Sequence, residues 1–590
     1  MGKFIQSVMA SCLGVFLAVA LVGLIGAAML GKAIAGADAP KKVSANSILE
    51  LKLTNAVPER TNNVPISPYD LSNTTVLGLQ DMKLAIEQAS EDDNIKGIFL
   101  DLSGINSRQT TATAIRDAIL DFRAKEKFVV AYSQYYSQGA YYMASAADKV
   151  YINPIGGLDF TGFSTMIPFF KDMLDRLGIK FQIFYAGKFK SATEPFRRNE
   201  MSEENRLQTK EYIEEMYAMF LQDIAKSRSV EVPELRRIAD NSLIRKAEDA
   251  VEYGLADELG YRDQVYDYLR QQLGLEDKDK IKTVSLSEYA KGHPRDKNLK
   301  AKGKIAVVYA EGEIVMGEGE QGSIGGNKYA SIIRKLRRDD KVKAIVLRVN
   351  SPGGSGLASD DIWRELMLAK EAGKPVIASM GDFAASGGYY IAAPADTIFA
   401  APNTITGSIG VFGMMPSVEQ SLEENVGVNF DDVKTGPFAL GLSPFRSLSE
   451  EEGQILQEGV EEFYEIFLSR VAEGRKMSRD EVHEVAQGRV WTGNRAKELE
   501  LVDRLGNLDD AIACAARMAD LEDYRLSEYP KIKEPIEQIL EELTGGGKSN
   551  ASAILRSQLG EYYPYYSYLR SIKDMQGVQA RMPFVPQTAW

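Results

Sequence analysis

Three short segments in the second half of the chain combine serine with small residues in a way that suits acyl transfer. They are Asn350-Ser351-Pro352-Gly353-Gly354, Ala384-Ala385-Ser386-Gly387-Gly388 and Thr406-Gly407-Ser408-Ile409-Gly410. A glycine turn lets backbone N–H groups approach a substrate carbonyl, as an oxyanion hole requires. Taken singly, each segment is equally well explained by a tight turn, an N-cap or a close helix contact. The residues alone therefore do not choose between Ser386 and Ser408 as a nucleophile.

A serine nucleophile needs a proton acceptor, which is usually a histidine. The chain has two histidines, His293 beside Pro294 in a polar segment and His483 in a polar helical stretch. Neither accompanies a turn of small residues, which argues against a Ser-His-Asp triad. A lysine can serve instead if burial lowers its pKa from about 10.4 towards roughly 7 to 8.

Two lysines in the first half are candidates for such a base. Lys188 and Lys190 flank Phe189 and follow a β-like run at residues 181–185. Residues two apart on a strand share a face, so either lysine is able to point inward. The pattern predicts one buried and one solvated lysine without saying which is which.

No pattern in the chain predicts a metal, a nucleotide or another cofactor. Residues 545–549 resemble a phosphate loop, but Glu542 replaces its first glycine and no strand precedes it. Histidine, cysteine and carboxylate residues are not grouped at metal-ligand spacing. The net charge of -13, without a basic stripe, argues against nucleic acid as a partner.

The two halves of the chain repeat the same order of residues at an offset of about 247, which indicates an internal duplication. The matched blocks are residues 92–100 with 339–347, 127–131 with 374–378, 181–196 with 430–445 and 255–260 with 501–506. In addition, Tyr141-Tyr142 and Asp148 match Tyr389-Tyr390 and Asp396.

The polar residues that differ between the copies point to one shared site. Gln138 lies opposite Ser386, and Leu158 lies opposite Ser408. In return, Ala439 in the second copy lies opposite Lys190 in the first. Because the hydroxyls belong to one copy and the lysine to the other, the sequence predicts an active site formed between the two repeats.

Short β-rich runs alternate with longer helical patterns in each copy, which predicts βαβ units around a largely parallel sheet. The chain is therefore expected to be an α/β protein, and its 590 residues exceed what one hydrophobic core supports. The predicted boundaries are a first repeat at 46–275, a polar linker at 276–302, a second repeat at 303–528 and a C-terminal tail at 529–590. An aromatic cluster in the tail, residues 562–566, either covers an oligomer contact or packs back on the body.

Residues 4–31 carry no charge and predict a membrane-spanning helix. At about 1.5 Å per residue this run reaches roughly 42 Å, more than the ~30 Å hydrocarbon core of a bilayer. A cleaved signal peptide is the alternative, because small residues at 35–39 offer a possible cut, but the length of the run favours a retained anchor. Cys12 and Cys514 predict no disulfide framework.

As a set, these motifs resemble those of the signal peptide peptidase A family in its long, duplicated form, a group within peptidase family S49. The resemblance extends from the predicted anchor to about residue 525 and includes the three serine segments. Its other motifs are Gly381-Asp382-Phe383, Gly488-Arg489-Val490-Trp491-Thr492-Gly493 and Lys190-Ser191-Ala192-Thr193-Glu194-Pro195-Phe196. The family is similar in fold to the Clp protease and crotonase group, so the resemblance implies two tandem domains of that kind.

The resemblance also implies an activity and a set of site residues. The chain is expected to be a membrane-anchored serine endopeptidase that degrades cleaved signal peptides and other apolar peptides without a cofactor. Ser386 is the implied nucleophile, Lys190 the implied general base and Ser408 the residue that orients the lysine. The N–H groups of Gly353 and Gly387 are the implied oxyanion hole.

The same resemblance implies the surroundings of the protein. Its expected partners are peptide substrates, the membrane and further copies of the chain, assembled as a homotetramer. A single span would hold it in the inner (plasma) membrane, with the catalytic body on the outer, periplasmic side.

Two other functions remain open from the sequence. An acyl-CoA hydratase or isomerase would use a similar backbone oxyanion hole, but it would need neither paired copies with divided serine and lysine nor an anchor. A catalytically silent membrane scaffold is the alternative from another class, and an activity assay distinguishes it. The sequence also leaves open whether serine and lysine meet within one chain or across a subunit boundary.

Overall fold

The computed structural model describes residues 43–63, 76–102, 104–295, 298, 300–532 and 577–582, with single positions at 2, 14 and 559. Apart from Gly14, the predicted anchor at 4–31 lies outside these residues, and so does the aromatic cluster at 562–566. Within the described ranges, no helix combines the length and the hydropathy that a membrane span needs.

The first half of the chain builds a parallel sheet with helices packed on it. Its strands, numbered along the chain, are β1 (Ser47–Leu51), β2 (Ile95–Asp101), β3 (Phe128–Tyr136), β4 (Lys149–Leu158), β6 (Glu258–Leu259) and β7 (Lys282–Ser285). They lie in the order β6-β4-β3-β2-β1-β7. The helices are Leu79–Glu91, Gln109–Arg123, Gln138–Ala144, Glu203–Arg228, Val232–Asp240, Ala247–Glu252, Arg262–Gln272 and Leu286–Gly292.

The second half repeats this plan. Its strands are β8 (Gly303–Glu311), β11 (Val342–Ser351), β13 (Val376–Ala385), β14 (Thr397–Ala400), β15 (Ile405–Gly407), β17 (Val490–Thr492), β18 (Arg504–Leu505) and β19 (Tyr524–Tyr529). The main path is β17-β15-β13-β11-β8-β19. The helices are Gly326–Arg338, Gly356–Glu371, Gly387–Ala392, Glu450–Arg475, Arg479–Val485, Gly493–Glu498 and Leu508–Met518. The prediction of an α/β protein with two repeats is therefore confirmed.

A third sheet of mixed direction connects the two halves. Its strands are β5 (Lys180–Ala186), β9 (Glu313–Val315), β10 (Ser323–Gly325), β12 (Gly353–Ser355), β16 (Val411–Ser417) and β20 (Gln579–Arg581), in the order β10-β9-β12-β20-β16-β5. Short helices at Lys171–Arg176, Glu194–Arg197 and Glu419–Ser421 flank it, the last continuing as a π turn at Leu422–Val426. Because β5 of the first copy pairs with β16 of the second, this sheet contains strands from both repeats.

Several of the residues that match between the two copies make hydrogen bonds that hold the fold together. The hydroxyl of Tyr141 donates to the Leu255 carbonyl, and that of Tyr389 donates to the Leu501 carbonyl, each at 2.8 Å. Likewise, the Asp148 carboxylate accepts from the Val129 N–H, at the second residue of β3, and the Asp396 carboxylate accepts from the Val376 N–H, at the first residue of β13. The matched tyrosines and aspartates therefore make equivalent hydrogen bonds between the elements of each repeat.

Two predicted boundaries need correction. The segment predicted as a linker, 276–302, contains β7 and the helix Leu286–Gly292, and β7 pairs in parallel with β1 at the edge of the first sheet. In β7 only Val284 is buried, so its sequence shows no alternation. The predicted tail, 529–590, begins on the last residue of β19 and returns to the body as β20.

A buried ion pair also ties the two halves together. Arg348 on β11 donates to both carboxylate oxygens of Glu59, at 3.0 and 3.1 Å, and to the Met380 carbonyl. Both charged side chains are buried, with 6% and 2% of their surfaces exposed. Next to them, burial, with the charge of Glu59, raises the pKa of Glu311 to about 7. The buried pair of Glu59 and Arg348 thus links the segment after β1 to the second repeat.

Candidate active site

Ser386 lies at a sharp turn between the end of β13 and the helix Gly387–Ala392. Its backbone has φ 56° and ψ −117°, a conformation that a residue with a side chain rarely adopts. The N–H of Ser386 donates to the Gly407 carbonyl at 2.7 Å, and its carbonyl accepts from Tyr390 at 2.8 Å. A strand–turn–helix of this kind presents the hydroxyl at the helix N-terminus, an arrangement that many enzymes use for a serine nucleophile.

The glycines after Ser386 are required by close packing. A Cβ on Gly387 would stand 2.8 Å from the Ser359 hydroxyl, and one on Gly388 would stand 2.6 Å from the Ser351 carbonyl oxygen. These distances are shorter than side-chain carbons tolerate, so larger residues would displace the turn. The Ser-Gly-Gly sequence is therefore explained by the space around the turn.

Lys190 meets Ser386 within one chain. Its Nζ lies 2.8 Å from Ser386 Oγ, 3.1 Å from Ser408 Oγ and 3.1 Å from the Ser408 carbonyl oxygen. Only 1% of Lys190 is exposed, and burial holds its pKa well below the ordinary value of 10.5. A lysine in this surrounding is a neutral amine over a wider pH range than a solvated one.

The two lysines of the first copy point in different directions. The strand β5 ends at Ala186, and Gly187, with φ 105°, begins a turn in which the Lys190 N–H donates to the Gly187 carbonyl at 3.0 Å. Lys188 is exposed and its ammonium lies over the Phe189 ring. The assumption that both lysines continue a strand is wrong, because the glycine turn breaks the alternation.

Several residues position Lys190 in a way that the sequence did not predict. The backbone of Lys190 passes so close to Gly488 that a Cβ there would stand 2.6 Å from its nitrogen. The Gln487 carbonyl accepts from the Phe189 N–H, and the Gln208 amide donates to the Phe189 carbonyl at 3.0 Å. Gln208 carries no signal of its own in the sequence, since a single glutamine in a 26-residue helix is ordinary.

The two glycine N–H groups in the turn after β11 have different partners. The N–H of Gly353 donates to Ser351 Oγ at 3.2 Å, so it is already engaged. Gly354 pairs with Ala580 on β20. In this antiparallel ladder, Met582 N–H donates to the Pro352 carbonyl and Gly356 N–H donates to the Val578 carbonyl, which makes Gly354 and Ala580 the hydrogen-bonded pair between them. Gly354, rather than Gly353, therefore presents its N–H beside the Gly387 turn.

The counterpart of the site in the first copy is filled by a structural side chain. Gln138, which stands opposite Ser386, accepts from the N–H groups of Thr161 and Gly162 at 2.9 Å each. Ala439, the counterpart of Lys190, is exposed. The chain described by the structure thus brings serine and lysine together once, in an arrangement that uses both copies.

Both histidines lie in other environments. His293 stacks on Tyr289 at 4.1 Å between ring centroids, and His483 Nδ1 lies 3.2 Å from the Tyr464 hydroxyl. Among the residues that the structure describes, no group of three His, Cys, Asp or Glu side chains is arranged to hold a metal ion. The groups that the structure places around Ser386 Oγ are the Lys190 amine and the backbone of the adjoining turns.

Comparison with known proteins gives a consistent set of relatives. A family model described as Peptidase family S49 matches residues 121–276 and 368–522, once in each half. Protease 4 of Salmonella typhi is 39% identical over 490 residues, covering 82% of this chain and 78% of that protein. The chloroplastic serine protease SPPA of Arabidopsis thaliana is 31% identical over 513 residues, 86% of this chain and 74% of that protein. A putative signal peptide peptidase SppA of Enterococcus faecium is 39% identical over 198 residues, 33% of this chain and 57% of that protein.

Proposed function

The chain belongs to peptidase family S49 and is a serine-type protease, and we propose that Ser386 and Lys190 form its catalytic dyad. The observation that carries this proposal is the 2.8 Å contact between the Lys190 amine and the Ser386 hydroxyl in a buried setting. Family membership disfavours the acyl-CoA hydratase and the silent scaffold as functions of this chain.

In the proposed reaction, neutral Lys190 removes the proton of Ser386 as its oxygen attacks the peptide carbonyl. A neutral amine has two N–H bonds and one lone pair, so donation to Ser408 Oγ and to the Ser408 carbonyl leaves the lone pair for Ser386. Ser408 is in this way a positioning residue. The negative oxygen of the intermediate is stabilised by the N–H groups of Gly354 and Gly387.

The second half of the reaction reverses these proton movements. The Lys190 ammonium donates its proton to the leaving amine, the C–N bond breaks and an ester with Ser386 forms. Lys190 then takes a proton from a water molecule, which attacks the ester. Lys190 returns that proton to Ser386 Oγ as the ester bond breaks and the carboxylic acid product leaves. No cofactor is needed at any step.

The substrates are proposed to be cleaved signal peptides and other apolar peptides. This rests on the name of the Enterococcus relative and on the resemblance of the motifs. We further propose that residues 4–31 anchor the protein in the inner membrane, with the body on the outer side, and that each repeat has the Clp protease and crotonase type of fold. An apolar substrate left in a bilayer would be close to a protease anchored there.

A labelling experiment tests the dyad. A fluorophosphonate probe should label the detergent-solubilised full chain, and Ser386→Ala should abolish the labelling, because the attacking oxygen is removed. Ser408→Ala should label several-fold more slowly, because the lysine loses one of its acceptors. Ser469→Ala, on the exposed face of the helix Glu450–Arg475, is the matched control and should label like the wild type. Equal labelling of Ser386→Ala and wild type would refute the assignment.

The proposal of a homo-oligomer is supported by a difference between the copies. In the first copy, β5 is covered by β16, and the rings of Phe181 and Phe196 lie 5.1 Å apart with Phe196 buried. Their counterparts, Phe430 and Phe445, keep the same tilted arrangement at 5.3 Å, yet each is 48% exposed. Residues 429–435, the counterpart of β5, have no strand pairing in the described part of the chain. The second copy thus resembles the first with its covering strand removed.

A segment equivalent to β16 is present in the first copy of another molecule. The counterpart of β16 in the first copy is about residues 161–167, where Met166 is 83% exposed. If residues 161–167 of one chain pair with residues 429–435 of the next, the two molecules form the same kind of contact that β16 and β5 form within one chain. A head-to-tail contact of this kind closes into a ring when its rotation permits, and we propose the tetramer of the resembling family as that ring.

Light scattering tests this contact. Phe430→Asp should lower the measured mass towards that of one chain and weaken assembly about tenfold or more, because a carboxylate would be buried there without a partner. Tyr261→Asp, a half-exposed aromatic outside both segments, should leave the mass unchanged. A wild-type mass of one chain, or a Phe430→Asp variant that assembles normally, would contradict the proposed contact.

A further inference from the structure

The strand that leads to the nucleophile bulges just before the active site. β11 and β13 pair regularly up to Val349 and Met380, and pairing resumes at Ser351 and Ala384. One residue of β11, Asn350, therefore stands opposite three residues of β13. A bulge changes the direction of its strand, and bulges are frequent next to active sites because they aim the residues that follow.

The side chain of Asn350 fills this bulge. Its Oδ1 accepts from the Phe383 N–H at 3.2 Å, and its Nδ2 donates to Glu59 Oε1 at 3.0 Å. Asp382 Oδ2 lies 3.4 Å from the same Nδ2. Because ionised carboxylates only accept hydrogen bonds, these two neighbours fix which end of the amide faces the Phe383 N–H.

The surroundings of the amide are closely packed. A Cβ on Gly381 would stand 2.6 Å from Glu59 Oε1 and 2.9 Å from Asn350 Cγ. Asp382 is held in turn by a helix of the first repeat, because it accepts from the N–H and the hydroxyl of Thr111, at 3.0 and 2.7 Å. The bulge is therefore a fixed structure, in which the Asn350 amide replaces strand hydrogen bonds that the bulge interrupts.

The two segments that this amide joins carry the two halves of the proposed oxyanion hole. Asn350 directly precedes the turn that supplies the Gly354 N–H. Phe383 lies three residues before Ser386, whose turn supplies the Gly387 N–H. Both N–H groups must converge on one oxygen, so the separation of the two segments decides how well the negative charge of the intermediate is stabilised.

We propose that Asn350 is a positioning residue, which holds the glycine turn and the strand of Ser386 at the separation that the tetrahedral intermediate requires. The inference rests on the dyad and the oxyanion hole proposed above. The amide is engaged by Phe383 and Glu59, so it acts through the backbone rather than on the substrate. Misplaced N–H groups weaken the binding of the intermediate more than that of the peptide, so turnover should fall while substrate affinity is kept.

Steady-state hydrolysis of a reporter peptide by the detergent-solubilised full chain tests this role. Asn350→Ala should lower kcat by about 10- to 100-fold and change KM by less than about twofold. A fluorophosphonate should still label Ser386 to completion, although more slowly, which shows that the variant is folded. Asn153→Ala is the matched control and should keep the wild-type kcat. Asn153 is likewise a buried strand asparagine that accepts from a backbone N–H, but it lies in the first sheet.

A second variant tests the hydrogen-bond donor itself. Asn350→Asp keeps the shape of the side chain and the acceptor for Phe383, but an ionised carboxylate cannot donate to Glu59 and is repelled by it. Protonation of the new carboxyl restores a donor, so the kcat of this variant relative to the wild type at the same pH should rise as the pH falls. The charged side chains around this position are those of Glu59, Asp382, Arg348 and Glu311. A relative kcat that does not change with pH overturns the role of the donor.

The outcomes separate this inference from the proposed dyad. An Asn350→Ala variant with the wild-type kcat overturns the inference and leaves the dyad standing. A loss of kcat that Asn153→Ala shares does the same, as does one that disappears when the rate is divided by the amount of labelled Ser386, because less folded protein would then be the cause. If the wild type neither cleaves the reporter nor reacts with the fluorophosphonate, the proposed dyad itself fails.

Discussion

Replacing Lys190 with alanine is expected to lower kcat/KM for a reporter peptide by about 10,000-fold, a loss similar to that of Ser386→Ala. Residues that act as one catalytic unit lose most of the rate when any one of them is removed. Lys190 is the amine beside Ser386 Oγ, at 2.8 Å. The measurement is steady-state hydrolysis by the folded variant, with Lys188→Ala as the matched control. Lys188 is exposed, and its removal should leave kcat/KM unchanged.

The pH dependence of the wild type should report the same residue. The base form of Lys190 is the neutral amine, so kcat/KM falls as the pH drops through its pKa and is retained above it. Because burial places that pKa well below 10.5, the acid limb should lie well below the pH at which an ordinary lysine deprotonates. Lys188→Ala should leave the limb in place. A limb near pH 10.5, or full activity of Lys190→Ala, would show that Lys190 is not the base.

Replacing Glu59 with glutamine is expected to lower the free energy of unfolding by about 3–5 kcal/mol. The substitution leaves the guanidinium of Arg348 buried without its counter-charge, and breaking one side of a buried pair is costly. The pair is held by two hydrogen bonds at 3.0 and 3.1 Å, and both partners are shielded from water. Urea unfolding followed by circular dichroism measures the loss.

Two controls show whether the buried charge is the cause. Glu258→Gln removes an exposed partner of Lys149 and should cost no more than about 1 kcal/mol. The double variant Glu59→Leu/Arg348→Met replaces both charged side chains with apolar ones and should recover much of the loss, because an apolar replacement of a buried pair is often nearly neutral. A Glu59→Gln variant as stable as Glu258→Gln would mean that the cluster is better solvated than the structure indicates.

Part of the site was accessible from the sequence because the protein is a duplication. Aligning one copy with the other reveals serines in one and a lysine in the other, without any knowledge of the fold. The alignment also emphasises residues such as Tyr141 and Asp148, which matched for structural reasons. The comparison of the two copies therefore identified candidate site residues, but it did not distinguish them from residues that stabilise the fold.

Choices between neighbouring residues depended on local geometry that side-chain type does not reveal. The turn at Gly187 separates Lys188 from Lys190, and the hydrogen bond from Gly353 to Ser351 leaves Gly354 as the proposed oxyanion donor. In both cases a backbone with positive φ breaks the alternation that sequence reasoning assumes.

By itself, the sequence determined that the chain is a duplicated α/β protein with serine and lysine divided between its copies, because these properties follow from periodicity and from internal comparison. Only the tertiary structure decided that Lys190 meets Ser386 within one chain, that residues 282–285 complete the first sheet and that β20 pairs with β12. The physical reason is that strand pairing between distant segments depends on backbone hydrogen bonds, which every residue can accept and every residue except proline can donate. Strand pairing therefore places little constraint on residue type, whereas burial favours apolar residues and tight turns favour glycine.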